Sequence, residues 1–308
     1  MHRRPAVLVA LACALAGCGV GPGEERGGTT ELRVTRDFGH TRLAAATRDS
    51  VPEGLTVLRL LSSERKVDTR YGGNFVQSID GLEGEGSGGG SDWFYFVNGI
   101  EADVGAAEFE LFPGDVVSWD YRRYKAAMGI PAIVGAYPEP FVHGKEGKRL
   151  PVRMECDDDE SVACREVRER LTALGVPVTQ AAFGNAGTPD LLRVVVAPWA
   201  AARRVRAALA LEQGPQASGV FARFTGEGRA LELLDENGVN ARTAEPGTGL
   251  VAATSIADQG VLWLVTGVDE AGVERAAQAL DEDTLSDAFA VALAPSGPVD
   301  LPLREGEE

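Results

Sequence analysis

Residues 93–99 read Trp93-Phe94-Tyr95-Phe96-Val97-Asn98-Gly99. Aromatic and β-branched residues favour strands, and an Asn-Gly pair is a strong signal for a tight hairpin turn. Because side chains alternate between the two faces of a strand, Trp93 and Tyr95 share one face and Phe94 and Phe96 share the other. This stretch therefore predicts a strand of a small β-sheet, ending at a hairpin.

Further short strands are predicted on both sides of this stretch, each bounded by turn residues. They lie at residues 31–36, 74–79, 109–112 and 116–121, while 55–61 is apolar and fits either a strand or a short helix. A Gly/Ser-rich loop is predicted at residues 81–92. Together these segments indicate a small, mainly β domain over residues 31–142.

Residues 32–122 resemble the transcobalamin-like C-terminal domain family. The motifs that carry the resemblance are the 93–99 stretch, Arg36-Asp37-Phe38-Gly39, residues 73–79, and a closing Gly114-Asp115-Val116-Val117 with Trp119 and Tyr121. The resemblance implies a β-grasp-like fold in a bacterial surface module. In vertebrate cobalamin carriers the related domain helps to cover the corrinoid. The resemblance therefore makes a corrinoid, or another flat polar molecule, a candidate ligand.

The aromatic strands allow two interpretations. In the first, Trp93, Tyr95, Asn98, Trp119 and Tyr121 lie beside the Gly-rich loop and bind a ring-bearing ligand by stacking. In the second, the same aromatic side chains are core and cross-strand packing. The sequence alone leaves both open.

The second half, residues 150–294, has a different pattern, in which predicted strands and helices alternate. A linker is predicted at residues 143–149, rich in Gly and charge, and a frayed acidic tail at residues 295–308. Strands at 151–155, 176–183, 191–197 and 220–224, with helices at 160–174 and 199–212, give the order βαββαβ. That is the order of a split-βαβ, ferredoxin-like domain. Further strands are expected at 231–234, 250–253 and 261–266, and a helix at 269–280, so the whole chain is expected to be α+β.

The first 18 residues have the features of a targeting segment. Arg3 and Arg4 precede an apolar run at residues 6–16, which ends in Leu15-Ala16-Gly17-Cys18. This order resembles a bacterial lipoprotein signal, in which cleavage occurs before a cysteine that is then lipidated. We expect an extracytoplasmic protein, anchored to a membrane of the cell envelope through Cys18 and a flexible tether at residues 19–30. The alternative is an ordinary signal peptide with an incidental cysteine.

Two of the four cysteines, Cys156 and Cys164, lie outside the targeting segment. Cys156 ends a predicted strand and Cys164 lies in the first turns of the next helix, so their sulfurs can meet. In an oxidising compartment this pair predicts a disulfide, with two buried thiols as the alternative. No second Cys or His pair accompanies them, so we expect no zinc site.

The net charge and the residue types disfavour several classes of function. The net charge is −16, from 30 basic and 46 acidic residues, which disfavours binding to nucleic acid. Only three histidines occur, and no catalytic motif is recognised, so we expect no enzyme, cofactor or metal. The acidic run Asp157–Glu160 fits a helix start better than a calcium loop.

Two hypotheses follow for the function. The first is a lipoprotein that binds a small ligand and presents it to a membrane transporter. The second is an envelope interaction or scaffold protein that binds protein or polymer partners.

Overall fold

The computed structural model describes residues 25–73, 75–86, 90–256 and 259–304. Within these residues the chain is α+β, as expected, and its strands form sheets of five, seven, three and three strands. The described part of the first half contains eight strands and one α-helix: β1 (Glu25–Arg36), β2 (Thr41–Pro52), α1 (Val57–Glu64), β3 (Val67–Arg70), β4 (Phe75–Ile79), β5 (Leu82–Glu83), β6 (Ser91–Val97), β7 (Ile100–Glu101) and β8 (Val116–Arg123).

The main sheet of the first half has the order β2-β1-β8-β6-β7. Strands β1 and β8 are parallel, whereas β1–β2 and β6–β8 are antiparallel. A β-hairpin followed by a helix, with the last strand inserted beside the first, is the β-grasp arrangement that the resemblance implied. The ambiguous segment 55–61 becomes the start of α1, because the Thr56 hydroxyl caps its first turn and Val57, Leu60 and Leu61 are buried on one face.

The second half continues with β9 (Val152–Cys156), α2 (Val162–Ala173), β10 (Val178–Gln180), β11 (Leu192–Pro198), α3 (Trp199–Ala202), α4 (Arg206–Leu209), α5 (Pro215–Ser218), β12 (Ala222–Thr225), β13 (Ala230–Leu234), β14 (Asn240–Thr243), β15 (Gly249–Ser255), β16 (Val261–Gly267), α6 (Glu270–Gln278), α7 (Glu282–Leu285), β17 (Ala290–Ala294) and β18 (Gly297–Leu301). Its large sheet has the order β10-β9-β11-β16-β15-β17-β18. Strands β10, β9, β11 and β16 run parallel, and the other three pair antiparallel.

Both faces of this large sheet are covered, so its central strands are apolar on both sides. Val194 and Val196 of β11 pack with α2 and α6 in one hydrophobic cluster. Val195 and Ala197 pack on the opposite face, against the segment of α3–α5 and the small sheet β12-β13-β14. The result is a three-layer arrangement.

The ferredoxin-like expectation for this half is wrong. The strand predicted at 220–224 does not enter the large sheet; β12 pairs with β13 in the separate three-stranded sheet. The helix predicted at 199–212 is broken into α3, α4 and a 3-10 turn at Ala210–Gln213. Apolar periodicity reports which residues are buried, but it does not report which strand pairs with which.

The predicted ends of the chain also differ from the structure. Residues 25–30, expected in the tether, belong to β1, and residues 297–301, expected in a frayed tail, form β18. Leu301 and Leu303 of that segment are buried. The tail is ordered because it adds an edge strand and two core side chains to the large sheet. The predicted signal at residues 1–18, including Cys18, and the start of the tether lie outside the described residues.

The two halves share one hydrophobic cluster. Phe38 from the β1–β2 turn and Phe96 from β6 pack with Phe221 and Phe289 of the second half. The Phe38 ring lies 4.9 Å from that of Phe221 and 5.4 Å from that of Phe289. The segment 143–149, expected to be a linker, folds back at a Lys145–Lys148 bridge.

The predicted disulfide between Cys156 and Cys164 is present. It joins the end of β9 to the first turns of α2, where the Ser161 hydroxyl accepts a hydrogen bond from the Cys164 amide. Among the described helices, none is both long and apolar enough to cross a membrane.

Candidate functional site

The predicted stacking residues lie inside the β-grasp core. Trp93 is 6% exposed and Trp119 is 2% exposed. The Trp93 Nε1 donates a hydrogen bond to the Leu82 carbonyl oxygen at 2.9 Å, and the Tyr95 ring stacks on Trp119 at 4.9 Å. This burial of the two indoles favours the packing interpretation over an open stacking surface. The reason is that β6 and β8 are neighbouring strands, so their aromatic side chains meet each other.

Asn98 holds the turn after β6 and is 1% exposed. Its Nδ2 donates to Asp115 Oδ1 at 2.8 Å and to the Gly144 carbonyl oxygen at 2.9 Å, while its Oδ1 accepts from the Val116 amide at 2.8 Å. With its side chain fully engaged, Asn98 links the hairpin to the segment that leads into the second half. These contacts give Asn98 a structural role, and its predicted ligand role stays a prediction.

Tyr95 and Tyr121 are only partly buried, yet each hydroxyl already has a partner. Tyr95 donates to the Val104 carbonyl oxygen at 2.6 Å, and Tyr121 donates to the Glu83 carbonyl oxygen at 3.1 Å. Burial raises the pKa of Tyr95, and the nearby charges of Asp103 and Glu108 raise it further. Tyr95 therefore joins the loop at Val104 to the main sheet, and Tyr121 joins β5 to it.

A cavity of about 510 Å³ opens where the two halves meet. We call it the junction cavity and define it by its charged and polar lining residues, His40, Arg242, Asp283, Thr284, Ser286 and Asp300, with Pro298, Val299 and Leu303 completing the wall. His40 is the last residue of the β1–β2 turn, and the other residues come from β14, α7, β18 and the segments that follow α7 and β18. None of the five predicted ligand residues lines it.

The wall at His40 is fixed by contacts between the halves. Its Nε2 donates to the Pro302 carbonyl oxygen at 2.7 Å, and Arg304 donates to the His40 carbonyl oxygen at 2.6 Å. Nearby, Arg42 pairs with Asp287 at 2.6 Å and donates to the Ser286 hydroxyl at 3.1 Å. Asp120 stabilises the turn that contains His40. Its carboxylate accepts hydrogen bonds from the backbone amides of Phe38 and Gly39, both at 3.0 Å. The cavity is thus preformed.

The charges of the junction cavity are mixed. Arg242 is partly buried, and its guanidinium makes no hydrogen bond or ion pair with another described residue. Asp283 is exposed in the first turn of α7, and Asp300 is exposed on the edge strand β18. The Thr284 hydroxyl donates to Asp281 and is engaged within the protein. The cavity can therefore offer the Arg242 guanidinium as a donor and the Asp283 carboxylate as an acceptor to a polar molecule.

Sequence reasoning missed the junction cavity because its residues are far apart along the chain. His40, Arg242 and Asp300 belong to three segments with no shared motif. The one sequence signal nearby was Asp37-Phe38-Gly39, a turn that the resemblance singled out. Phe38 and Asp120 place this turn against the second half. The turn motif therefore positions His40 at the cavity, but it does not indicate which residues would bind a ligand.

A second, acidic cavity of about 370 Å³ lies on the β-grasp half. Four carboxylates line it, from Asp103, Glu108, Glu110 and Glu146, together with Phe109 and Phe112. Arg26 already occupies part of this region: it pairs with Glu110 at 2.9 Å, and its guanidinium lies 4.9 Å from the Phe112 ring centroid.

Among the described residues, one group of Cys, His, Asp or Glu side chains is close enough to hold a metal ion, namely Cys156, Asp159 and Cys164. Its two sulfurs form the disulfide and are not thiolates, so this group does not fit a metal site.

A buried carboxylate lies where the β-grasp half leads into the second half. Asp115 is 1% exposed, and burial raises its pKa to about 6. Hydrogen bonds from the Phe112 amide and from Asn98 oppose this rise, as does the charge of His143, while Glu139 adds to it. Glu139 itself accepts from His143 Nδ1 at 2.5 Å. The hydrogen bonds among these groups stabilise the segment that connects the β-grasp half to the second half.

A family model described as "Domain of unknown function (DUF4430)" matches residues 54–123. This segment lies within the β-grasp half and overlaps the region that resembles the transcobalamin-like family. No curated protein matches the chain.

Two solved structures are similar to part of the chain. One is described as a "putative metal binding protein" from Ruminococcus gnavus ATCC 29149, with 15% identity and a TM-score of 0.26, covering 32% of this chain and 98% of that one. The other is haptocorrin in complex with Cbi, with 14% identity and a TM-score of 0.27, covering 37% of this chain and 29% of that one. The match thus spans less than a third of haptocorrin, and neither likeness is close enough to carry an argument about the ligand.

Proposed function

We propose that this chain is an extracytoplasmic lipoprotein, anchored through Cys18, that binds a small polar ligand in the junction cavity and presents it to a membrane transporter. The observation that carries the proposal is the cavity itself, about 510 Å³, formed where the two halves meet. Binding sites for small molecules are commonly of this size and commonly lie between domains, with a few polar groups that fix the ligand.

The geometry of the cavity supports a ligand site in two ways. First, the contacts of His40 with Pro302 and of Arg42 with Asp287 preform its walls, which lowers the entropy cost of binding. Second, Arg242 is left without a partner in the described part of the chain, although almost every other arginine there has one. A partly buried guanidinium that the fold does not use is available to a ligand.

The location rests on the sequence and on the disulfide. The order of charge, apolar run and Leu15-Ala16-Gly17-Cys18 resembles a lipoprotein signal. The disulfide between Cys156 and Cys164 agrees with folding in an oxidising compartment.

The resemblance of residues 32–122 keeps a corrinoid among the candidate ligands.

The ligand proposal is tested by native mass spectrometry of the protein purified from its own host. We expect wild type to retain a small molecule, and Pro298→Trp, which fills the cavity from its exposed β18 wall, to lose it. The matched control is Val239→Trp, at a residue that is 60% exposed and does not line the cavity. Equal retention by wild type and Pro298→Trp would reject the cavity as the site, and a co-purifying protein instead of a small molecule would favour the scaffold hypothesis.

The anchor is tested by Cys18→Ser. We expect this variant to move from the membrane fraction to the soluble fraction, because a body with this acidic charge has little attraction to an anionic membrane surface. The measurement is fractionation followed by immunoblotting. Retention of processed Cys18→Ser in the membrane would contradict anchoring by lipid.

A further inference from the structure

We infer that a single water molecule is bound in a small closed cavity between the two halves and forms part of the native structure. The cavity has a volume of about 10 Å³ and shares no lining residue with the junction cavity, so this inference does not depend on the proposed function. Its polar lining comes from Thr35, Ser118, Asp120 and Asp287.

The hydroxyl of Ser118 is the group that most needs such a water. Ser118 lies on β8, is 8% exposed and lines the cavity. Its side chain makes no hydrogen bond with any residue that the structure describes. A buried hydroxyl without a partner is costly, because it has given up its hydrogen bonds to bulk water. A water molecule in the cavity would accept the Ser118 proton and remove this cost.

Asp120 supplies an acceptor from the same strand. It is 1% exposed, and its Oδ1 accepts from Thr35 Oγ1 at 2.6 Å and from the Gly39 amide at 3.0 Å. Its Oδ2 accepts from the Phe38 amide at 3.0 Å and from no other described residue. A carboxylate oxygen has two lone pairs, so Oδ2 can accept one more hydrogen bond.

Asp287 supplies a second acceptor from the other half. Its Oδ2 accepts from Arg42 at 2.6 Å, whereas its Oδ1 lies 3.9 Å from Arg33 Nη1, beyond hydrogen-bond distance. Close backbone packing fixes this residue, since a Cβ atom added to Gly39 would lie 1.9 Å from the Asp287 carbonyl oxygen. The two carboxylates are therefore held on opposite sides of the boundary between the halves.

The size and the lining of the cavity fit one water. A buried water needs roughly 10–15 Å³ and makes about three hydrogen bonds. Here it accepts from Ser118 and donates to Asp120 and Asp287, while Phe96 and Phe289 line the apolar side. A metal ion fits less well, because the apolar walls supply no further oxygen ligands. The water links β8 to the segment that follows α7.

A crystal structure of the mature, detergent-solubilised protein, from crystals soaked in rubidium chloride, tests the site directly. We expect one water within hydrogen-bond distance of Ser118 Oγ and of the carboxylates of Asp120 and Asp287, with no anomalous signal from rubidium. A rubidium peak would identify a cation site and overturn the inference. A cavity without density for water would overturn it as well.

Magnetic relaxation dispersion of water tests the site in solution, because it counts the waters that stay bound longer than the protein takes to tumble. Ser118→Val removes the hydroxyl and adds a methyl group beside the cavity, so we expect it to hold one long-lived water fewer than wild type. The matched control is Ser50→Val, on β2 of the same sheet, which does not line the cavity and should leave the count unchanged. Equal counts in wild type and Ser118→Val would contradict a bound water, and if Ser118→Val does not fold, the wild-type crystal structure decides alone.

Discussion

Trp93 is a residue that the sequence allows to be interpreted either as a ligand contact or as part of the hydrophobic core. Its indole is 6% exposed, donates to the Leu82 carbonyl and packs edge-on against Tyr121 at 5.3 Å. We expect Trp93→Ala to reduce the free energy of unfolding by about 3–5 kcal/mol, because it leaves a cavity and an unsatisfied carbonyl. Thermal melts of Trp93→Ala should show a large fall in midpoint, while Tyr71→Ala, at a residue 81% exposed, should not. A near-unchanged midpoint for Trp93→Ala would contradict the core assignment.

Asp115 predicts a pH dependence of stability. Burial raises its pKa from 3.8 to about 6, so the folded state holds the proton more tightly than the unfolded state does. The contribution of Asp115 to stability is therefore complete below about pH 4 and is lost as the pH rises through 6. We expect the unfolding free energy of wild type, minus that of Asp115→Asn, to fall between pH 4 and pH 6 and to level off above it.

Urea unfolding of both proteins at several pH values measures this difference. The subtraction removes the titration of other buried acids, such as Asp120, whose pKa is also raised by burial. A difference that does not change with pH would contradict the assignment of the shift to Asp115.

At the scale of elements, the disulfide fastens α2 to β9. It closes a short loop between residues eight apart in sequence. We expect Cys156→Ser/Cys164→Ser to lose about 2–3 kcal/mol of unfolding free energy, as for a loop of this length. Chemical denaturation measures the loss, and reduced wild type should show a similar loss. Two reactive thiols in the unfolded but unreduced wild-type protein would contradict a disulfide in the native protein.

Elements with a strong local signal were predicted, whereas the pairing of the strands in the second half was not. The helix at Val162–Ala173 has a capping Ser161 and a buried face of Ala163, Cys164, Val167 and Leu171. By contrast, β12 has an ordinary strand pattern, and only its antiparallel register with β13 places it outside the large sheet. Caps and periodicity are local properties, whereas pairing partners depend on the whole chain.

At the scale of the whole molecule, Phe38 joins the two halves. It lies in the turn between β1 and β2, is 2% exposed, and contacts Phe221 and Phe289 edge-on. We expect Phe38→Ala to lower the unfolding free energy by about 3–5 kcal/mol and to loosen the packing between the halves. Hydrogen exchange should therefore rise in residues 217–224 of the second half.

The control for this prediction is Phe112→Ala, which alters a partly buried ring of the β-grasp half outside the shared cluster. Its effect on exchange in residues 217–224 should be small. Equal exchange in wild type and Phe38→Ala would show that the two halves are held together by other contacts.

The sequence by itself determined the α+β class and the disulfide pair, because alternation, turn residues and cysteine spacing are local signals. The β-grasp-like character of the first half was implied by the resemblance of residues 32–122 to a known family. Only the tertiary structure decided that the aromatic strands β6 and β8 pack against each other, that residues 297–301 form a strand, and that His40 meets Arg242, Asp283 and Asp300 at one cavity. The physical reason is distance along the chain: the cavity joins segments more than 200 residues apart, and their proximity depends on packing such as that of Phe38 against Phe221 and Phe289.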